Sequence, residues 1–181
     1  MIIAREKKKE NIVEYVLYMW QIENLIRAYN FDIERIDKEI ISGFDLDDEE
    51  REAMRFWYES LIETMKNEKV TEKGHIQILK STVADLNDLH LRLLKSPFHQ
   101  DYQRVYQRTL PYISAFYNKL QDKKKSIIEM ALEAVYGVWM LRLQGKKIYP
   151  ETQEAIDYIS DFLSLLAKKY HQREQDEEFY I

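Results

Sequence analysis

The chain has 181 residues, of which 45% are hydrophobic and 33% are charged, and its formal net charge is -5. This length suits one domain, and this composition is typical of a globular protein rather than a disordered one. With no cysteine, 4 glycines and 3 prolines, the chain excludes disulfides and thiolate chemistry, and it has too few turn residues for a β-sandwich or barrel.

The sequence predicts an all-α fold, in which residues 1–181 form a single helical bundle of six to seven helices. Helix caps and a 3.6-residue period of apolar positions mark the helices. Because helices of about 22 residues are as long as a compact chain of this size is wide, short loops should connect them. In chain order the predicted helices cover about 4–29, 32–41, from 45 or 47 through 65, 71–95, 97–121, 126–144 and 150–170.

The predicted helix at about 126–144 is apolar nearly all round and is expected to lie at the centre of the bundle. A helix without a polar side must be covered on every side. Ser126 and Glu129 have the spacing of a capping box, and Gly145 is placed to end the helix. In the preceding helix, Pro111 is expected to cause a kink or a split.

Charge patterning indicates where the chain is found and what it binds. Met1 to Ala4 precede a basic run, which is the reverse of a secretory signal, so a cytoplasmic location is expected. The apolar stretch 127–143 is interrupted by charges and is too short for a membrane span. Acidic net charge argues against nucleic acid as a partner. Residues 174–181 are expected to form a frayed acidic tail.

The opening stretch resembles a known family. Met1-Ile2-Ile3-Ala4-Arg5-Glu6-Lys7, then the run from Glu14 to Glu23 and Phe31-Asp32-Ile33, are similar to the start of a group of uncharacterised bacterial proteins of about this length, described as a domain of unknown function. The quoted resemblance covers about the first 40 residues. It implies an all-helical bacterial protein and brings no established activity, no catalytic residue and no binding residue.

A repeated Tyr-x-Arg unit is the most site-like feature of the sequence. Tyr102 and Tyr106 are four residues apart, as are Arg104 and Arg108, so each pair shares one side of a helix. Two aligned guanidinium groups beside tyrosines suit a phosphate or carboxylate ligand. In the alternative interpretation, the tyrosines cover the rim of the core while the arginines are solvated.

Glu23 and Arg27 form a second candidate site. Their spacing in the first helix allows an ion pair. Such a pair either holds a ligand inside or at the lip of the bundle, or lies at the boundary of the apolar face and contributes about 0.3–0.5 kcal/mol.

Neither a metal site nor a cofactor is predicted. Glu72 and His75 have the Glu-x-x-His spacing of a di-iron bundle, but a second copy is missing. The pattern does not decide whether His75 meets the other three histidines, at 90, 99 and 171. Glu129 and Glu133 resemble paired carboxylates, yet capping explains the first, and the second suits the boundary of the apolar helix.

The chain contains 13 tyrosines and 3 tryptophans, residue types that are enriched both in cores and at protein interfaces. No catalytic motif accompanies them. The sequence therefore favours a non-catalytic interaction or scaffold protein that forms a homodimer or binds another protein. The alternatives are a helical bundle that binds a small anionic ligand through Arg104 and Arg108, and a metal-dependent enzyme.

Overall fold

The computed structural model describes residues 2–117, 125–175 and 179, without the side chains of residues 2, 3 and 117. The fold is all-α: 81% of it is helical, and the described residues include no strand. The described part of the chain forms α1 (Ile2–Glu10), α2 (Ile12–Ala28), α3 (Ile33–Glu39), a 3₁₀ turn (Ile41–Gly43), α4 (Asp48–Asn67), α5 (Gln77–Lys95), α6 (Gln100–Tyr117), α7 (Ile127–Leu143) and α8 (Pro150–Gln175).

These described ranges hold eight α-helices rather than the six to seven predicted, because the long first helix is divided. Asn11 lies between α1 and α2, and its side-chain Oδ1 accepts a hydrogen bond from the backbone N–H of Val13 at 3.1 Å. Asparagine competes with the helical backbone in this way and favours helix caps over helix interiors. The apolar period continues across Asn11, and for that reason periodicity alone did not detect the break.

Three predicted helix starts are confirmed by cap hydrogen bonds. Asp32 accepts from the N–H groups of the first turn of α3. Asp47 begins α4 with a reciprocal capping box to Glu50. Ser126 caps α7 by accepting from the N–H of Glu129 at 3.2 Å. Side-chain oxygens at these positions satisfy backbone donors that a helix start leaves without an intrahelical partner.

Two other predicted boundaries are wrong. The segment 71–76 is irregular, and α5 begins only at Gln77. Gly74 in this segment has a φ of +84°, a value that glycine adopts readily and that a right-handed helix does not allow. The helix predicted from residue 97 begins only at Gln100. This helix, α6, continues through Pro111 without a split, and the kink expected there stays a prediction.

The chain forms two compact units: unit 1 comprises Met1–Glu10 and Glu14–Ser81, and unit 2 comprises Asn11–Val13 and Thr82–Ile181. The single domain expected over residues 1–181 stays a prediction. Within unit 1, α3 and the 3₁₀ turn pack against α4. The apolar faces of these elements and of α2 are buried, and the fully buried side chains include Val16, Ile26, Ile36 and Met65.

Within unit 2, α6, α7 and α8 pack against one another. The N-terminal half of α7 is covered as predicted, and Ile128, Ala131 and Leu132 are fully buried. The C-terminal half is not covered on every side, since Gly137 and Leu143 are exposed. An apolar helix with one open side leaves apolar surface available for contact.

The predicted acidic tail lies only partly within the described residues. α8 continues to Gln175, and Phe179 is buried with its ring centroid 4.7 Å from that of His99. Residues 176–178, 180 and 181 lie outside the described part of the chain. Within that part, the structure contains no helix whose length and apolar character would allow it to cross a membrane.

Candidate functional site

Glu23 of α2 and His75, two residues before α5, form a carboxylate–imidazole pair in unit 1. The Glu23 side chain is 0% exposed. Its Oε2 lies 2.5 Å from Nδ1 of His75, and its Oε1 accepts the backbone N–H of Ile76 at 2.8 Å. A buried carboxylate is costly unless both oxygens are hydrogen-bonded, and here each oxygen has one partner.

Trp20 holds the imidazole from one face. The rings of Trp20 and His75 are stacked, with centroids 4.3 Å apart and planes 12° from parallel. Trp20 and Glu23 are three residues apart and therefore lie on the same side of α2. The His75 side chain remains 29% exposed, and within the described ranges its Nε2 forms no hydrogen bond.

Arg27, one turn after Glu23, forms hydrogen bonds to the irregular segment that precedes His75. Its guanidinium donates to the carbonyl oxygens of Val70 and Gly74, at 3.0 and 2.5 Å from Nη2, and to Oδ1 of Asn24 at 2.8 Å. The ion pair expected between Glu23 and Arg27 is not seen among the described residues. Each side chain instead bonds to the 70–76 segment, so the structure brings these two predicted residues together in another way.

The pair resembles arrangements in which a carboxylate orients a working histidine. When Nδ1–H donates to a carboxylate, the tautomer is fixed and Nε2 carries the lone pair. Such a nitrogen can act as a general base, a nucleophile or a metal ligand. For the last role, the described residues include no group of three or more His, Asp or Glu side chains that could hold a metal ion.

His90 and Tyr102 form a different polar contact inside unit 2. The Tyr102 hydroxyl lies 2.7 Å from Nδ1 of His90, and the aromatic rings of Tyr106 and Phe162 surround the imidazole. Burial lowers the pKa of His90 to about 4 and raises the pKa of Tyr102 above its usual range. Both groups are neutral near pH 7, and their hydrogen bond satisfies two polar groups inside the core.

The four residues of the Tyr-x-Arg repeat are not brought to one surface. Tyr102 is fully buried, whereas Arg104 and Arg108 are exposed. On a helix, positions two apart point about 200° from each other, which separates the tyrosine side of α6 from the arginine side. The placement matches the alternative given above, in which the tyrosines face the core and the arginines are solvated.

The remaining ionisable candidates are explained by local contacts. Glu133 pairs with Lys125, with Oε1 and Nζ 2.5 Å apart. The Nε2–H of His99 donates to the backbone carbonyl oxygen of Phe179 at 3.0 Å. His171 lies beside Glu174 at 3.5 Å. These groups serve packing and surface pairing within unit 2.

A shallow cavity of about 310 Å³ lies in unit 1 between the start of α3 and the end of α4. Phe31, Ile33 and Ile62 contribute its apolar side, and Glu63 and Lys66 are on its rim. It contains none of the six residues that the sequence predicted as ligand-binding.

The C-terminal half of α7 carries a partly exposed apolar surface. Tyr136, Met140 and Leu143, here called the α7 stripe, follow the helical spacing of one face. Leu143 is 59% exposed, and the other two are half-buried. Gly137 is exposed beside the stripe, and a Cβ added to it would meet no atom within 4 Å. Glycine inside a helix costs about 1 kcal/mol relative to alanine.

Sequence reasoning missed the role of His75 as the partner of Glu23. The spacing of Glu23 and Arg27 marked one side of α2, but the partner of Glu23 lies 52 residues further on. A signal was present in Gly74-His75, where a glycine interrupts a helical pattern directly before a histidine.

The fold and the site define a class of all-α proteins with a buried carboxylate–imidazole pair and an open apolar stripe. Within that class, the chain belongs to the family called Domain of unknown function (DUF4924), whose model matches residues 1–177. No curated protein and no solved structure matches the chain.

Proposed function

We propose that the protein is a bacterial, cytoplasmic interaction or scaffold protein, without catalysis in that role, that forms a homodimer through α7. The observation that carries this proposal is Gly137, an interior helix glycine with open space around it, next to the α7 stripe. None of the described residues of unit 2 makes use of the missing side chain. A second backbone that approaches closely would use it, and would cover Leu143 as well.

The charge distribution along α7 supports a second copy of the chain as the occupant. Glu129 and Glu133 lie in the N-terminal half, and Arg142 and Lys146 lie at the C-terminal end. In a two-fold antiparallel pair, the acidic end of one copy meets the basic end of the other. The net charge of -5 also favours a protein partner over nucleic acid.

The oligomeric state tests the proposal directly. We expect the full chain to be a dimer by size-exclusion chromatography with light scattering, and Leu143→Glu to convert it into a folded monomer. Ile78→Glu is the matched control, because Ile78 is a similarly exposed apolar residue on α5 at 53% exposure. A monomeric wild type at all concentrations, or equal disruption by the control, would remove the proposal.

Gly137→Leu tests the close approach itself. The open space around Gly137 allows the larger side chain in a single chain, so circular dichroism should stay helical. In the dimer the same side chain would separate the two helices. Retention of a wild-type dimer by this variant would show that α7 does not pack against its copy at Gly137.

Charge-reversal variants test the antiparallel orientation of the two α7 helices in the proposed dimer. Glu129→Lys and Lys146→Glu should each weaken the dimer, by about tenfold in dissociation constant if each loses about 1.4 kcal/mol. The double variant restores opposite charges across a two-fold axis and should recover the affinity. Two additive losses would exclude the antiparallel arrangement.

A further inference from the structure

We propose that His75 is a nucleophile whose Nε2 accepts an acyl group from an activated acyl donor, while Glu23 orients the ring and takes up the proton of Nδ1. This inference goes beyond the proposed self-association and does not depend on it. It rests on the residues around one buried carboxylate in unit 1.

The carboxylate at position 23 supports this proposal. Glutamate is almost never fully buried unless it is paired, and Glu23 is 0% exposed. A glutamine there could accept the N–H of Ile76 through its single oxygen, and its NH₂ group would then face the imidazole. Only a carboxylate accepts from Ile76 and from Nδ1–H of His75 at the same time.

The imidazole of His75 is held rigidly, and one of its two nitrogens has no hydrogen-bond partner among the described residues. The hydrogen bond to Glu23 fixes Nδ1, and the stack on Trp20 fixes the plane of the ring. In the neutral imidazole, Nε2 then carries the lone pair, and 29% of the side chain is exposed to solvent. A fixed ring and a defined tautomer are what a carboxylate supplies to a reacting histidine.

The groups around His75 indicate which class of substrate it would accept. Arg27 is already bonded to the carbonyls of Val70 and Gly74, and the described contacts of His75 include no cation. A phosphoryl donor would meet the carboxylate of Glu23 without a cationic partner for its oxygens. An uncharged carbonyl carbon, as in a thioester or an activated ester, reacts with the imidazole without needing such a partner.

The chemical step balances without a metal or a redox partner. The lone pair of Nε2 forms a bond to the carbonyl carbon, and the bond to the leaving group breaks, so that a thiolate or phenolate departs with the electron pair. The Nδ1 proton passes to Glu23, which leaves a neutral acyl-imidazole. Water then attacks the carbonyl carbon and gives up one proton to the solvent. The bond between that carbon and Nε2 breaks, and a carboxylic acid departs as Nδ1 recovers its proton from Glu23.

The experiment uses the full chain with p-nitrophenyl acetate at pH 8. Release of p-nitrophenolate gives the rate, and peptide mass spectrometry locates the acetyl group. We expect acetylation of His75 at least about tenfold faster than that of N-acetylhistidine in the same buffer. Equal or slower reaction of His75 would overturn the proposal, and this comparison needs no variant.

Glu23→Gln separates positioning from folding. The amide should force hydrogen onto Nε2, so the rate should fall to that of N-acetylhistidine or below, and ¹⁵N NMR should report the exchanged tautomer. His171→Gln is the control and should change nothing, because its Nε2 is buried. An unchanged rate in a folded Glu23→Gln protein, or transfer from phosphoramidate to His75 in place of acetylation, would contradict the assignment.

Discussion

The hydroxyl oxygen of Tyr102 lies 2.7 Å from Nδ1 of His90, and their side chains are 0% and 1% exposed. Burial is the cause of both pKa shifts, downward to about 4 for His90 and upward for Tyr102. A histidine that is neutral in the folded chain and titrates normally in the unfolded chain links stability to pH.

The first prediction is that stability falls as the pH is lowered from about 6.5 to about 4. The ordinary pKa of histidine is 6.5, so in this window the unfolded chain binds a proton that the folded chain does not, and acid favours unfolding. The loss should be on the order of 3 kcal/mol, at 1.36 kcal/mol per unit of pKa. Urea unfolding at several pH values measures it.

His90→Gln isolates this contribution from the carboxylates that titrate in the same range. The variant should be less stable at pH 7 but should depend less on pH between 4 and 6.5. An identical pH dependence in the two proteins would mean that His90 binds its proton equally well in the folded chain.

The second prediction concerns the hydroxyl of Tyr102. Tyr102→Phe leaves Nδ1 of His90 buried without this partner, which should lower the free energy of unfolding by about 1–3 kcal/mol. Tyr149→Phe is the control, because Tyr149 is 67% exposed and its change should be close to zero. Equal effects of the two substitutions in urea unfolding would argue against the buried hydrogen bond.

The third prediction distinguishes two arginines that the sequence placed in the same class. Arg27→Met removes the donors to the carbonyls of Val70 and Gly74 and should destabilise the protein by about 1.5–3 kcal/mol, the range for charged hydrogen bonds. Arg104→Met changes an exposed residue and should stay within about 0.5 kcal/mol. Thermal unfolding of both variants measures the difference, and a reversed order would be incompatible with the structure.

The fourth prediction concerns Gly74, which has a φ of +84°. Gly74→Ala forces a side chain into a left-handed conformation and should cost about 1–2 kcal/mol. Gly43→Ala is matched to it, because Gly43 has open space and is not among the residues with positive φ. Hydrogen exchange of residues 70–76 should increase only in the first variant; an unchanged exchange rate there would show that the segment does not depend on its glycine.

Local patterns predicted the helices well because caps and apolar periods act over a few residues. Asp47, Ser126 and Pro150 begin helices where the sequence placed them. Asn11 and Gly74 were wrongly predicted to lie inside helices, because a single residue within an unbroken apolar period does not indicate whether the helix continues. In the part of the chain that the structure describes, the break at Asn11 therefore gives eight helices instead of the six to seven predicted.

The candidate site was less accessible to sequence reasoning. Glu23 and Arg27 were selected through their spacing on one helix, but apart from Asn24, to which Arg27 donates, their hydrogen-bond partners are 43 to 53 residues away. No local pattern encodes contacts at that separation. The Tyr-x-Arg repeat had clear local order, but which of its side chains are buried depends on which side of α6 is covered, a property of the packed chain.

The buried carboxylate of Glu23 also constrains how the chain is made. During synthesis, its two hydrogen-bond donors emerge from the ribosome 52 and 53 residues later, a delay of several seconds at ~5–20 residues per second. Until then the carboxylate of Glu23 needs water as its hydrogen-bond partner, so the face of α2 that carries Glu23 cannot be buried. Nascent chains that end before His75 should consequently remain open and protease-sensitive, and completion of unit 1 should coincide with the arrival of the 70–76 segment.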